Sequence, residues 1–493
     1  MTFELTQMSA RALTAGYRSR KFSPVEVVDA YIKKIESENP RLNAYVNLRL
    51  EEARKEARAA EEAYRSAPDA QPVFRGVPIS LKEMFAFKGL PHTCGSVTRK
   101  GYVADVDSTV ARKLKESGAI VLGTTNIPEW GLWYESSNKV YGRSGNPYDT
   151  RRTPGGSSGG EAAVGGAGLA CFGVGSDEGG SIRMPAFFCG IFGHKASHHV
   201  ISLAGHPPLI GKNFANAVGR IYPFIAVGPM TRFAEDLMPI TRALAGVDPL
   251  DPDVQSFEFS AIPDSWKGKR VLVCAEPKMK MVTRVSSALS GEVKRAGKVF
   301  ESLGSQIEEF PHDFFYEAFD VWTYLMQQTR DVKIKAYLRA NGRFNAGVEL
   351  LKSLVGASDV TLPAILFSLG ETFLVRPSKA DKFVQMGLEM RKKLYDLLSA
   401  DSILIFPSHP RVAPKHHVPL LFPQDFSYTG ILAAMKVPAT QVPTGLGADG
   451  IPLGVQIAAG PGMDHLTIGA AQVLEKALGG YVAPRSAGSA GKT

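Results

Sequence analysis

Residues 154–161 read Pro-Gly-Gly-Ser-Ser-Gly-Gly-Glu, and residues 175–185 read Gly-Ser-Asp-Glu-Gly-Gly-Ser-Ile-Arg-Met-Pro. In each block a serine is bracketed by glycines and followed by helix-compatible sequence. Glycine crowded around polar side chains marks backbone brought close to another group. The surrounding stretch, 145–193, is dense in Gly and Ser, yet apolar and charged residues hold fixed places within it, so it is not of low complexity. Upstream, residues 78–83 read Pro-Ile-Ser-Leu-Lys-Glu, a short apolar strand that ends on Lys82.

These three segments carry chemistry when taken together. A serine hydroxyl is a poor nucleophile until a base removes its proton. Glycines beside it let backbone N–H groups converge on one point, where they can stabilise a tetrahedral oxyanion. A lysine can act as the base only when neutral, and burial disfavours its charged form. Lys82 follows four uncharged residues, a setting that favours such desolvation. Taken singly, each piece has an ordinary reading. A lysine at a strand end can snorkel to solvent, and Gly-Gly-Ser stretches also make turns or phosphate cradles.

Outward from this centre, short apolar runs alternate with helical patterns. Residues 77–81 and 119–123 read as buried strands, the second preceded by a helix over 108–117. Residues 23–37 open with Ser23-Pro24-Val25-Glu26, a capping-box start. Val25, Val28, Ile32 and Ile35 then form one apolar stripe. Residues 48–66 read as a charged-surface helix, and the apolar run 162–174 as a buried helix. Between 255 and 400 amphipathic helical sequence dominates (286–302, 314–340, 378–399), flanked by strand-like 270–274 and 403–406. Gly/Pro-punctuated runs at 437–460 precede a helix at 464–478. Alternating strands and helices predict an α/β layer architecture with a mixed or parallel sheet.

Composition bounds the function. The chain has 493 residues with 57 Lys+Arg, 48 Asp+Glu and a formal net charge of +9. Hydrophobic residues at 44% and charged residues at 21% are ordinary globular values, which excludes wholesale disorder. Basic and acidic residues interleave, as in 51–56, so no stripe for nucleic acid is expected. Cys94, Cys171, Cys189 and Cys274 form no C-x-x-C pair, which fits a reducing compartment. The opening residues show no secretory pattern and no apolar run reaches about 18 residues, so a cytoplasmic protein without an integral membrane segment is expected.

Lys82 and the two glycine-serine blocks, in that order, resemble the amidase signature family of Ser-Ser-Lys hydrolases; Ser157 and Ser181 stand 24 residues apart, which suits its signature. Gly-Thr-Thr-Asn at 123–126, Val-Gly-Pro-Met-Thr-Arg at 227–232, and Pro-Leu-Gly-Val-Gln at 452–456 with Asp464 look like further landmarks. Pro-Ser-His-Pro at 407–410 and Ala-Pro-Lys-His-His at 413–417 look most like the fatty acid amide hydrolase branch, particularly its second type. From the opening residues, the membrane-anchoring N-terminal helix usual in that branch is not expected here.

The resemblance implies an α/β fold, a large mixed β-sheet core covered on both faces by α-helices. It implies one amidase signature domain over 1–485, with 255–400 a more variable helical section walling the substrate pocket and 486–493 a flexible tail. It makes Ser181 the nucleophile, Lys82 the base and Ser157, on a cis peptide bond, the proton relay. The N–H groups of Glu178, Gly179, Gly180 and Ser181 become the oxyanion hole, and no metal or organic cofactor is required. The implied reaction is cleavage of the C–N bond of a hydrophobic N-acyl amide, anilide or related carbamate or ester through a Ser acyl-enzyme. The alternative is a glutamine-hydrolysing transamidation subunit that supplies ammonia to a partner. Expected partners are a small-molecule amide and no nucleic acid; a homodimer is the assembly allowed for.

Glu178 departs from the family, where Thr, or Ile in the fatty acid amide branch, is usual. Either its carboxylate acts beside the oxyanion or substrate, or it pairs silently with a nearby base. Asp177 and Arg183 read as loop-holding partners. The histidine pairs 198–199 and 416–417 read as structural, since no H-E-x-x-H or His-x-His arrangement occurs. Cys189 reads as core. Aromatic and apolar residues at 314–326 (Phe314, Phe315, Phe319, Trp322, Tyr324, Leu325, Met326) and 362–375 either line an acyl or aryl pocket or simply pack on the core.

Overall fold

The computed structural model describes residues 5–206, 224–328, 333–339, 344–373, 375–399 and 401–485. The expected tail at 486–493 lies outside the described residues. Eleven strands form one mixed sheet in the order Tyr45–Leu48, Ile120–Thr125, Pro78–Lys82, Phe172–Asp177, Ala226–Thr231, Phe192–Lys195, Ala439–Leu446, Pro452–Ala459, Ser402–Phe406, Arg270–Val273, Gln306–Glu309. Pro78–Lys82 runs parallel to both neighbours, whereas Phe172–Asp177 meets Ala226–Thr231 antiparallel.

Strand alternation divides the core into two layers. Ile403 and Ile405 join Val271, Ile457 and helices Ser287–Ser302 and Asp464–Leu478 on one face. Leu404 and Phe406 join Leu272, Ala458 and helices Ala318–Gln328, Ala380–Leu397 and Ser427–Ala434 on the other. Helices thus cover both faces of the sheet, the α/β architecture expected.

The capping box forms as written: Ser23 Oγ accepts from the Glu26 N–H at 3.2 Å, and Glu26 Oε2 accepts from the Ser23 N–H at 2.7 Å. The helix runs Pro24–Leu42, with Val28, Ile32 and Ile35 buried as expected; Val27 is buried too, while Val25 is only half-buried. The run 162–174 is not one helix. Helix Gly159–Ala167 stops at Gly168, whose φ of +66° makes a left-handed C-cap, and strand Phe172–Asp177 follows. A glycine C-cap outweighs continuous apolarity as a helix signal there. The amphipathic stretch 314–340 holds helices Ala318–Gln328 and Ile334–Tyr337 among its described residues.

Candidate active site

Alternation along Pro78–Lys82 sends Ile79 and Leu81 into the apolar core and turns Ser80 and Lys82 to the other face. Lys82 is 1% exposed, so its ammonium does not snorkel to water. Its Nζ lies 2.7 Å from Ser157 Oγ, 2.9 Å from Ser176 Oγ and 3.4 Å from the Ser176 carbonyl. Burial pulls the Lys82 pKa down to about 7, against opposing attraction from Asp177 and Glu161. A lysine so placed is half neutral near pH 7 and can accept a proton.

The Gly156–Ser157 peptide is cis. Gly156 has no room for a side chain, since an added Cβ would meet the Trp133 carbonyl at 2.7 Å and the Glu135 nitrogen at 2.9 Å. The Ser158 N–H donates to the Ser181 carbonyl at 3.1 Å, which ties the two glycine-serine blocks together.

The loop bearing Ser181 is held from beneath. The Asp177 carboxylate accepts from the N–H groups of Gly180 (2.7 Å) and Ile182 (3.1 Å) and from Arg183 Nε and Nη2, both at 3.0 Å. Arg183 also donates to Gln456 Oε1 and the Thr429 carbonyl, both at 2.8 Å. Burial works against the Asp177 charge, but Arg183, Lys195 and the N–H donors hold its carboxyl below the usual range. Asp177 and Arg183 are therefore the loop-holding pair expected from sequence. Their bond has a consequence for the oxyanion set. The Gly180 N–H is committed to Asp177, which takes it out of the set of four amides expected for an oxyanion. Gly180, at φ +117°, faces Thr429, and a side chain there would collide with it.

Lys82, Ser157, Ser176, Glu178, Ser181 and His206 line one cavity of about 110 Å³. Trp130, Trp133, Tyr134, Trp322, Tyr337 and Phe367 make its apolar wall. Of the run 314–326, Trp322 is the residue that reaches this wall; its ring meets Phe426 edge-on at 4.7 Å, and its Nε1–H donates to the Glu178 carbonyl at 3.3 Å. Phe315 packs instead against Phe406, in the core.

Three residues near the site carried no role in the sequence reading. Ser176 and Glu161 stand inside the two quoted blocks, and only the fold shows which way they face, Ser176 from strand Phe172–Asp177 and Glu161 from helix Gly159–Ala167. Glu161 accepts from Ser80 Oγ at 2.6 Å and Thr125 Oγ1 at 2.7 Å, beside Lys82; burial raises its pKa to about 7 despite those bonds and Lys82. His206, outside every motif, reaches Ser176 Oγ at 2.8 Å. The paired histidines are structural: His416 Nδ1 meets Glu135 at 2.7 Å and His198 Nε2 meets the Phe224 carbonyl at 3.0 Å. All four cysteines are free and buried, Cys189 among the core apolar residues. Among the described residues no group of His, Cys, Asp or Glu is placed to hold a metal, and no helix is long and apolar enough to cross a membrane.

A wide mixed sheet carrying a buried lysine and two glycine-flanked serines around one cavity describes a hydrolase. The chain belongs to the amidase family, whose model matches residues 26–468, and it is an amide-hydrolysing enzyme. It is 39% identical to human (Homo sapiens) fatty-acid amide hydrolase 2 over 98% of this chain and 91% of that protein. It is likewise 39% identical to fatty-acid amide hydrolase 2-B of Danio rerio, over 98% and 92% of the two chains. Among solved structures, 6-aminohexanoate cyclic dimer hydrolase shares the fold at a TM-score of 0.78 and 24% identity, covering 96% of this chain and 97% of that one.

Proposed function

We propose that this enzyme hydrolyses the C–N bond of a small hydrophobic N-acyl amide or anilide, or a related carbamate or ester, through an acyl-enzyme on Ser181. Lys82 in its neutral form accepts the Ser157 proton while Ser157 accepts that of Ser181, whose Oγ attacks the carbonyl. The oxyanion gathers on the Glu178, Gly179 and Ser181 amides. The protonated relay then returns a proton to the leaving nitrogen, which departs poorly as an anion. Water takes the same path to release the acid.

The observation that carries this reading is Lys82 Nζ, 1% exposed, 2.7 Å from Ser157 Oγ at the floor of a cavity that Ser181 shares. The aromatic wall favours an apolar acyl group. The glutamine-supplying alternative is less supported, because a free amino acid needs a counter-charge for its carboxylate as well as for its ammonium, and the aromatic wall supplies no cation.

A fluorophosphonate label with peptide mapping, run beside Ser181→Ala, tests the reading. The adduct is expected on Ser181, with turnover of an acyl anilide lost in the variant. Undiminished release of aniline by Ser181→Ala would overturn it.

A further inference from the structure

Ser176 Oγ sits between two nitrogens, Lys82 Nζ at 2.9 Å and His206 Nε2 at 2.8 Å. His206 is buried, packs its ring against Phe85 at 5.0 Å, and lines the same cavity as Ser157 and Ser181. Counting protons fixes the direction of these bonds. A neutral lysine has two N–H donors and one lone pair, and the base reading requires the lone pair to face Ser157. Its two N–H groups then need acceptors, which Ser176 Oγ and the Ser176 carbonyl supply at 2.9 and 3.4 Å. A serine hydroxyl has one proton of its own, and with Oγ accepting from Lys82 that proton must go elsewhere. His206 Nε2 is the acceptor in reach. Turned the other way, the Ser176 O–H would donate into the lysine lone pair and compete with Ser157 for it.

We propose that His206 is a positioning residue of this reaction: carrying its own proton on Nδ1, it accepts the Ser176 hydroxyl proton as a hydrogen bond and so aims the Lys82 lone pair at Ser157. The inference rests on the reading of Lys82 as base. It assigns His206 no contact with the reacting atoms. Its effect passes wholly through Ser176, and that route distinguishes it from a residue that merely fills the wall.

A double-mutant cycle on the full chain with p-nitroacetanilide tests it. His206→Phe keeps an aromatic ring beside Phe85 and removes the acceptor; it is expected to lower kcat about tenfold with KM within about twofold. His206→Gln, whose side-chain carbonyl can accept from Ser176, is expected to recover kcat to within about threefold of the parent. In a Ser176→Ala background, His206→Phe is expected to add no further loss, because the group it acts through is gone. An equal loss in both backgrounds, or a change in KM alone, overturns the proposal and makes His206 a wall residue. His206→Leu replaces His206→Phe in the same cycle if the latter does not fold, with the same outcomes. Lys82→Met and Ser181→Ala run alongside separate the two levels. If either keeps full activity, the base-and-nucleophile reading itself fails; if both are inactive and the cycle is additive, only the role of His206 fails.

Discussion

The floor and the wall of the cavity are built on opposite terms. The floor (Lys82, Ser157, Ser176) is polar, and its bonds join residues on the sheet and on the glycine-rich turns above it, with His206 reaching in to Ser176. Each group there has a partner at hydrogen-bond distance, so identity matters atom by atom. The wall is aromatic, drawn from the turn at 130–134 and from helices Ala318–Gln328, Ile334–Tyr337 and Leu362–Phe373, and it works chiefly by packing, with the Trp322 Nε1–H and the Tyr134 O–H each donating to a backbone carbonyl. On the proposed mechanism the difference separates two tasks: a floor that cannot change without losing the reaction, and a wall that can change to suit another substrate. Buried polar groups are costly when half-satisfied, whereas apolar surfaces of similar volume exchange cheaply.

The largest effect should come from the floor. Lys82→Met keeps the aliphatic stem and removes the base, and kcat for an acyl anilide should fall about a thousandfold, within the range for removing a general base. In the parent enzyme, kcat/KM should decline as pH falls below about 7, the value to which burial lowers Lys82, because the ammonium form has no lone pair. Glu161→Gln sharpens this. The ionised Glu161 carboxylate stabilises the Lys82 ammonium, as Asp177 also does, so removing that charge should move the acid limb of the profile to lower pH. An acid limb that stays in place or moves upward would show that Glu161 does not act on Lys82.

On the wall, Trp322→Ala should lower kcat/KM for a ring-bearing acyl group by about tenfold and improve the standing of a longer chain, the scale on which a hydrophobic pocket discriminates. Competition between a benzoyl and an octanoyl anilide reads this directly; an unchanged ratio would take Trp322 out of substrate selection. The smallest effect belongs to neither region. Arg112→Ala breaks an exposed pair with Glu116 and should move stability by no more than about 0.5 kcal/mol in a denaturant titration, with kcat untouched.

The same contrast explains what could be read in advance. Lys82, Ser157 and Ser181 could be singled out in advance because the chemistry calls for those residue types and the glycines mark the place, and the structure sets all three around one cavity. Ser23 and Glu26 were legible for the same local reason, and the helix they cap begins where the sequence says. The role of Ser176 was not, since it depends on strand register and on a histidine 30 residues away that belongs to no motif. The split of 162–174 into helix and strand turned on Gly168, whose left-handed backbone interrupts a run that composition leaves continuous. On the wall, periodicity over 314–326 identifies an apolar stripe without saying which edge of it faces the cavity. Trp322 and Phe315 look alike in sequence, and packing against Phe406 decides between them.

Arg183 grips the Ser181-bearing turn through Asp177 with one hand and the distant segments around Thr429 and Gln456 with the other. During synthesis, then, the ribosome must deliver most of the chain before that turn finds its clamp. A fragment that stops short of residue 429 would keep Lys82, Ser157, Ser181 and the Asp177 bonds of the turn, and lack the anchors that tie Arg183 to the rest of the fold.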